Sequence, residues 1–344
     1  MRGILRAAAY VPAASVHGRH TAGPDEDGFT LGATALERLW DGGRSPPPAA
    51  RLEFVGDLPA EADDDFVRFL GYPVLTERFG TGAPGLRAAV QDAADPSRGS
   101  GPILLAVVDL PSRVEGRSPH PSEPDRAVAL WVSEDGRADL LESLRGLAGQ
   151  GESATAPIFR LARERRVQEP DPWVGDWDLG PGRELPAGAL PLLGSKLPAG
   201  GPVSQGAYVP RPRYLENLPS RWSFAGERCP ACSTVTFPAR GRCRQCGLRE
   251  GLESARLPRD GGEVIASTVI GPGGQPTEFD DQVAALGPYG VVLVELAPGA
   301  RVTLQVADAE QGAIRVGQRV DTRLRRLYPM EGEWRYGRKA VPRD

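Results

Sequence analysis

The sequence is short of several things, and each shortage excludes a class of behaviour. It has four cysteines and three histidines in 344 residues. It also has no apolar run of the roughly 18 residues that a membrane-spanning helix needs. The cysteines all fall between positions 229 and 246, so no thiol is left elsewhere for nucleophilic catalysis or for disulfides along the chain. The histidines are His17, His20 and His120, which excludes a catalytic imidazole from everything after residue 120. Lysine is almost absent: Lys196 and Lys339 stand among 41 basic residues, and the rest are arginine. Aromatics make up 6%, too few for a row of base-stacking rings. The net charge of −4 argues against bulk attraction to nucleic acid or to an anionic membrane.

What is present is a globular composition, 40% hydrophobic and 25% charged, with 43 glycines and 34 prolines that imply many turns and some linker. Charge is uneven: residues 211–344 carry about +4 and the first 210 about −8. The opening MRGILRAAAYVPAASVHG starts like a secretion signal, but its apolar stretch is short and broken by Tyr10 and Pro12. It reads as a strand entering a turn, and the clustered cysteines point to a cytoplasmic setting.

Along residues 1–168, strand and helix patterns alternate. Gly3–Val11, Leu52–Val55, Ile103–Asp109 and Ala127–Val132 read as strands, the third as one buried on both faces. Leu31, Ala35, Leu36, Leu39 and Trp40 recur at helical spacing behind a capping Asp27, and Pro84–Ala94 is an alanine-rich helix. Asp63-Asp64-Asp65 reads as an acidic helix start. The alternation predicts an α/β unit with a largely parallel sheet. Residues 169–210 are dense in Pro and Gly and read as a linker, or as an arm using Leu190, Leu192 and Leu193 to wrap a neighbour. In residues 211–252 a helix over Tyr214–Phe224, interrupted at Pro219, leads into the cysteines. In residues 253–344, Gly262–Ile270, Gly290–Leu296, Arg301–Val306, Arg319–Leu327 and Glu333–Arg338 read as five short strands, the pattern of a small closed barrel.

Cys229, Cys232, Cys243 and Cys246 follow C-x2-C-x10-C-x2-C. Each CxxC turn offers two thiolates on one side of a metal, and two such turns close a tetrahedron with no open position. The pattern predicts one structural Zn2+, with iron as the alternative for four thiolates. The ten intervening residues allow a hairpin, with Thr234–Phe237 as strand and Pro238–Gly241 as turn. Residues 211–259 carry about six net positive charges, the footprint that a nucleic-acid-binding ribbon needs, although arginines equally recognise phosphates and acidic partners.

The segment PRYLENLPSRWSFAGERCPACSTVTFPARGRCRQCG resembles the DUF35 family, a rubredoxin-like zinc ribbon followed by an OB-fold. The downstream GEVIASTVI, GPYGVVLVELAPGARVTLQV, IRVGQRVDTRL and YGRKAVP resemble the family's OB strands. Together these cover roughly residues 205–344. The resemblance implies a non-catalytic scaffold subunit that binds a thiolase-fold enzyme (a thiolase, an HMG-CoA synthase or an aldolase) and helps to form an acyl-CoA site or passage. On that footing Trp222, Phe237, Arg240, Arg242, Arg323 and Arg325 are the expected acyl-CoA or partner contacts. MRGILRAAAYVPAASV, FGTGAPGLRAAVQDAAD, GPILLAVVDLPSR and AVALWVSEDG resemble one half of an HMG-CoA synthase or thiolase fold over residues 1–165. The nucleophilic Cys of that fold is missing from its expected place near Gly82, and no His follows residue 120. The unit therefore reads as degenerate, without acyl transfer of its own, and with a wide apolar face to be covered by another chain or the linker. The alternatives are a nucleic-acid-binding zinc ribbon/OB protein, and an acyl-CoA C–C bond-forming or -cleaving enzyme in its own right.

Other motifs carry less. His17 and His20 lack a third ligand, GPGG at 271–274 has no following Lys-Ser/Thr, and Ser153 and Ser204 lack the setting of a nucleophile elbow. Arg323 and Arg325 share one face of a strand by period two.

Overall fold

The computed structural model describes residues 2–16, 19–20, 22, 25–40, 48–56, 58–59, 62–111, 124–148, 151, 153–168, 171–175, 177–178, 183–184, 209–259, 261–330 and 332–343. His17, His120, Leu190, Leu192, Leu193 and Ser204 lie outside them. The chain forms two compact units that part between Leu185 and Pro186. No helix among the described residues is long and apolar enough to cross a membrane.

The first unit runs β1 (Gly3–Tyr10), β2 (Ala14–Val16), β3 (Arg19–His20), α1 (Gly28–Arg38), β4 (Arg51–Gly56), α2 (Ala62–Leu70), β5 (Leu75–Arg78), α3 (Gly82–Ala94) and β6 (Ile103–Asp109). It continues through β7 (Arg126–Ser133), α4 (Ala138–Leu147), α5 (Ala156–Arg165), β8 (Trp173–Gly175) and β9 (Arg183–Glu184). Its main sheet has the order β5-β4-β6-β7-β1-β8. The expected largely parallel sheet is mixed. β4 runs parallel to β5 and β6, and β1 to β8, but β7 is antiparallel to both β6 and β1. β7 is the next strand in the chain and lies beside β6, and antiparallel neighbours, unlike parallel ones, do not require a crossover helix.

All seven residues of β6 are buried, as a strand covered on both sides requires. Ile103, Leu105 and Val107 pack in one cluster with Leu86 and Val90 of α3, Leu140 and Leu144 of α4, and Ile158 of α5. On the opposite face Val108 and Phe66 of α2 lie against Gly32 of α1, where any side chain would collide with the Phe66 ring. The apolar face of the sheet is covered by the unit's own helices and, as expected of the linker, by Trp173 and Trp177 from its first residues. Leu75 and Val167 are its exposed large hydrophobics among the described residues. Asp27 caps α1 as expected: its carboxylate accepts from the Thr30 backbone N–H at 3.0 Å, and Thr30 Oγ1 accepts from the Asp27 N–H at 2.8 Å. The three aspartates do open α2. The unit also extends past residue 168 into the predicted linker. Trp173 and Trp177 are buried, their rings 5.2 Å apart, and Trp177 packs on Phe159, so burial of two indoles holds β8 onto the sheet.

The second unit opens with α6 (Arg211–Glu216) and α7 (Leu218–Ser223). The helix breaks at Asn217 and not at Pro219, because Pro219 sits in the first turn of α7, where its missing N–H is not needed. β10 (Ala225–Arg228), β11 (Val235–Thr236) and β12 (Glu253–Arg256) make a three-stranded ribbon in the order β11-β10-β12. Then come β13 (Gly262–Ile270), α8 (Asp280–Leu286), β14 (Tyr289–Ala297), β15 (Ala300–Gln305), β16 (Arg319–Met330) and β17 (Glu333–Pro342). The five strands lie in the order β15-β14-β13-β16-β17, and a bridge from Val306 to Ala340 closes the ring into the expected barrel. β13 meets β16 only at Gly262 and Glu263. Beyond that point Phe279, just before α8, packs against both Tyr289 of β14 and Tyr328 of β16.

Candidate metal centre

The metal centre is built by two similar turns. β10 delivers Cys229, whose N–H donates to the Thr234 carbonyl at 3.0 Å while the Ser233 N–H donates back to the Cys229 carbonyl at 2.9 Å. In the second turn the Cys243 N–H donates to Leu248 at 2.8 Å and the Gly247 N–H to Cys243 at 3.1 Å. The residue after the second cysteine of each pair is left-handed, Ser233 at φ 57° and Gly247 at φ 80°, which turns the chain sharply enough for both thiols to face inward. Glu227 of β10 ties the intervening hairpin, accepting from the N–H groups of Arg240 at 3.0 Å and Gly241 at 2.8 Å.

The four cysteines are unpaired as disulfides, and their sulfurs all lie within 4.8 Å of one another. Cys229 and Cys246 are 3.6 Å apart, Cys232 and Cys243 3.6 Å, and Cys232 and Cys246 3.7 Å. A tetrahedron of Zn–S bonds near 2.3 Å has sulfur–sulfur edges of about 3.8 Å. The donor set and its spacing thus fit Zn2+ held by Cys229, Cys232, Cys243 and Cys246, with all four positions filled by protein and none open for a reacting molecule. The backbone N–H of Cys246, seconded by that of Gln245, pulls the Cys243 thiol down to about 6. Against the backbone N–H of Leu248, the neighbouring Cys229 and Cys243 sulfurs push Cys246 up to about 11, so the thiolates form in turn and not all at once without a cation.

Four thiolates around Zn2+ carry a net charge of about −2. An open hollow of about 810 Å3 beside the sulfurs is lined by Arg240, Arg242 and Arg244. Arg240 and Arg242 are exposed, as a contact role requires. Phe237 is half-buried, its ring edge-on to Phe224 at 5.8 Å. Arg323 is half-buried and pairs with Asp321 at 3.3 Å. Trp222 and Arg325 stand elsewhere. Trp222 is 1% exposed and its indole N–H donates to the Tyr336 carbonyl at 3.0 Å. Arg325 is fully enclosed and reaches Asp308 at 2.8 Å. Neither side chain is presented to a ligand; both are spent inside the unit, since an enclosed guanidinium needs its carboxylate.

Arg244, which the sequence does not single out, is the fastening between ribbon and barrel. Its guanidinium donates to the Gly299 carbonyl at 2.6 Å, in the β14–β15 turn. Phe224, Val235 and Phe237 join the barrel cluster of Val264, Val292 and Leu304. Nothing in the spacing around Arg244 marks it, because its partner is a carbonyl 55 residues away. Arg244→Ala is expected to keep zinc and to lower the stability of the second unit by about 1 kcal/mol, read from denaturant midpoints at constant metal content. An unchanged midpoint would remove Arg244 from this role.

Residues 223–253 match the family model described as ChsH2, rubredoxin-like zinc ribbon domain. A DUF35 domain-containing scaffold protein of Methanothermobacter thermautotrophicus is 33% identical over 134 residues, which cover 38% of this chain and 95% of that protein. The chain belongs to the DUF35 family. A second DUF35 domain-containing scaffold protein, from Methanocaldococcus jannaschii, is 30% identical over 132 residues and 89% of its length. Among solved structures, this DUF35 chain is similar to the Ltp2-ChsH2(DUF35) aldolase at 23% identity and TM-score 0.29, covering 39% of this chain and 96% of that one. It is also similar to PksG, an HMG-CoA synthase from Bacillus subtilis, at 18% identity and TM-score 0.32. It spans 39% of its own length there and 42% of PksG.

Proposed function

We propose that this chain is a non-catalytic scaffold subunit that binds a thiolase-fold enzyme and helps to form its acyl-CoA site. One observation carries the reading: every thiol of the chain is gathered at the metal. The position where a thiolase-type nucleophile would stand, at the start of α3, holds Thr81 and Gly82. A helix N-terminus can lower a thiol pKa only if a thiol is there. The two DUF35 relatives are named scaffold proteins, which agrees with a holding role. Zinc keeps the hairpin of Phe237, Arg240 and Arg242 in one geometry. The exposed Arg240 and Arg242, with the half-buried Phe237 and Arg323, are the contacts offered to the partner or to the phosphates of CoA, while Trp222 and Arg325 support them from inside.

The test is co-expression with a thiolase-fold enzyme of the same organism, followed by purification through a tag on this chain. A stoichiometric complex that survives gel filtration is the expected result. A chain that elutes free of every such enzyme, or one that alone turns over acetoacetyl-CoA, would defeat the reading. A salt-sensitive shift of nucleic acid by the purified chain would favour the nucleic-acid alternative, for which the ribbon arginines are the supporting feature.

A further inference from the structure

Five charged side chains meet where β4, β5 and α3 come together in the first unit. Arg51 and Glu53 share one face of β4. Glu77 of β5 is the in-register neighbour of Glu53, so two carboxylates lie side by side on adjacent strands. Arg51 Nη1 is 2.8 Å from Asp92 of α3 and 4.0 Å from Glu77, and its Nη2 is 3.1 Å from Glu53. Arg98, in the turn after α3, reaches both oxygens of Glu77 at 2.5 and 2.6 Å and Asp92 at 2.5 Å. Arg2 holds the same turn by donating to the carbonyls of Ala93, Asp95 and Gly99. β6, the other neighbour of β4, presents the apolar Leu105 beside Glu53.

Three carboxylates thus face two guanidiniums, one negative charge too many for the cluster. Glu53 is the innermost member. Its side chain is 0% exposed, against 12% for Asp92 and 38% for Glu77, and neither of its oxygens has a hydrogen bond of suitable geometry. The Arg51 contact alone would favour the carboxylate, but that guanidinium is shared with Asp92, and burial outweighs it.

We propose that this cluster is a proton-operated clasp, in which Glu53 is carried as the neutral acid and its ionisation loosens β5 and the end of α3 from β4. The proton leaves to water, and the charge left behind repels Glu77 and Asp92, the residues that join those two elements to the sheet. Burial, with help from the Asp92 and Glu77 charges, pushes the Glu53 carboxyl up to about 8 against the pull of Arg51. The native state therefore binds more protons than the unfolded chain above the ordinary carboxylate range. The stabilisation is complete below that range and is lost as pH rises to about 8.

The test uses the full chain. In wild type, amide exchange in residues 75–78 and 92–98, corrected for its intrinsic pH dependence, should accelerate between about pH 6 and about pH 9, while that of β6 does not. The infrared band of a neutral carboxylic acid should disappear over the same range. Glu53→Gln, neutral and isosteric, should lack the band and remain closed at the alkaline end, exchanging at least about tenfold more slowly than wild type there. Glu77→Gln, at a half-exposed position, should shift the transition to lower pH, because it removes a charge that opposes ionisation. Should Glu53→Gln fold poorly, the Glu77→Gln shift and the wild-type band decide. A wild-type protein with no acid band near neutral pH, or a Glu53→Gln chain with the wild-type pH response, overturns the clasp.

Discussion

Cys243→Ser is expected to release the metal and unfold the ribbon while leaving the first unit folded. The ribbon has almost no core of its own. Between Ala225 and Arg256 its buried side chains are Cys229, Cys243 and Thr236, so the metal takes the place of hydrophobic burial. Structural zinc contributes about 10–16 kcal/mol in comparable small sites, more than any packing available here. A serine hydroxyl is not a thiolate at neutral pH and cannot restore the fourth ligand. Elemental analysis should find about one zinc per wild-type chain and almost none in the variant. Trypsin offers the second measurement. Arg240, Arg242 and Arg244 lie in the hairpin that the metal holds, and cleavage there should rise more than about tenfold on metal loss, because the open form becomes the main form. The barrel should weaken as well, since Phe224 and Phe237 pack from the ribbon side onto its core. Acidification should act in the same direction, because protons compete with the metal for thiolates. Retention of zinc and of trypsin resistance by the variant would show that the four sulfurs do not act as one site.

Trp222→Ala should be the most damaging single substitution outside the metal ligands. Trp222 closes α7 onto β17. It is 1% exposed, its ring meets Tyr336 edge-on at 6.2 Å, its N–H donates to the Tyr336 carbonyl, and its own carbonyl accepts from Arg338 Nε at 2.5 Å. Tyr214 of α6 adds to the same contact by accepting from the Tyr336 N–H at 2.8 Å. Emptying that site is expected to cost about 3–5 kcal/mol, and Trp222→Phe, which keeps most of the volume and loses the hydrogen bond, about 1–2 kcal/mol. Denaturant titration followed by circular dichroism reads both. A loss below about 1 kcal/mol for the alanine variant would mean that α7 is not held by this side chain.

Some of the architecture was legible from local chemistry. Two CxxC pairs ten residues apart need no tertiary information, because the ligands lie within eighteen positions and the turns that aim them are local. The same holds for the Asp27 cap of α1 and the acidic start of α2, where donor and acceptor are a few residues apart. The buried strand Ile103–Asp109 was legible because every residue in it is apolar until the last.

The direction of β7, the place of the Trp173 strand and the fates of the arginines were not. Period two places Arg323 and Arg325 on one face, yet Arg323 is half-buried beside Asp321 and Arg325 is enclosed with Asp308, because burial depends on what lies over each position of the face. In Arg51-Leu-Glu53 the sequence shows an ordinary strand with two charges. Glu53 is pushed toward the neutral acid first by its burial, and then by Asp92 and Glu77, brought beside it by a helix and a neighbouring strand. Residue type and spacing determine what a segment can bind by itself. The surroundings of a charge, and hence its ionisation, are decided only when distant parts of the chain exclude water around it.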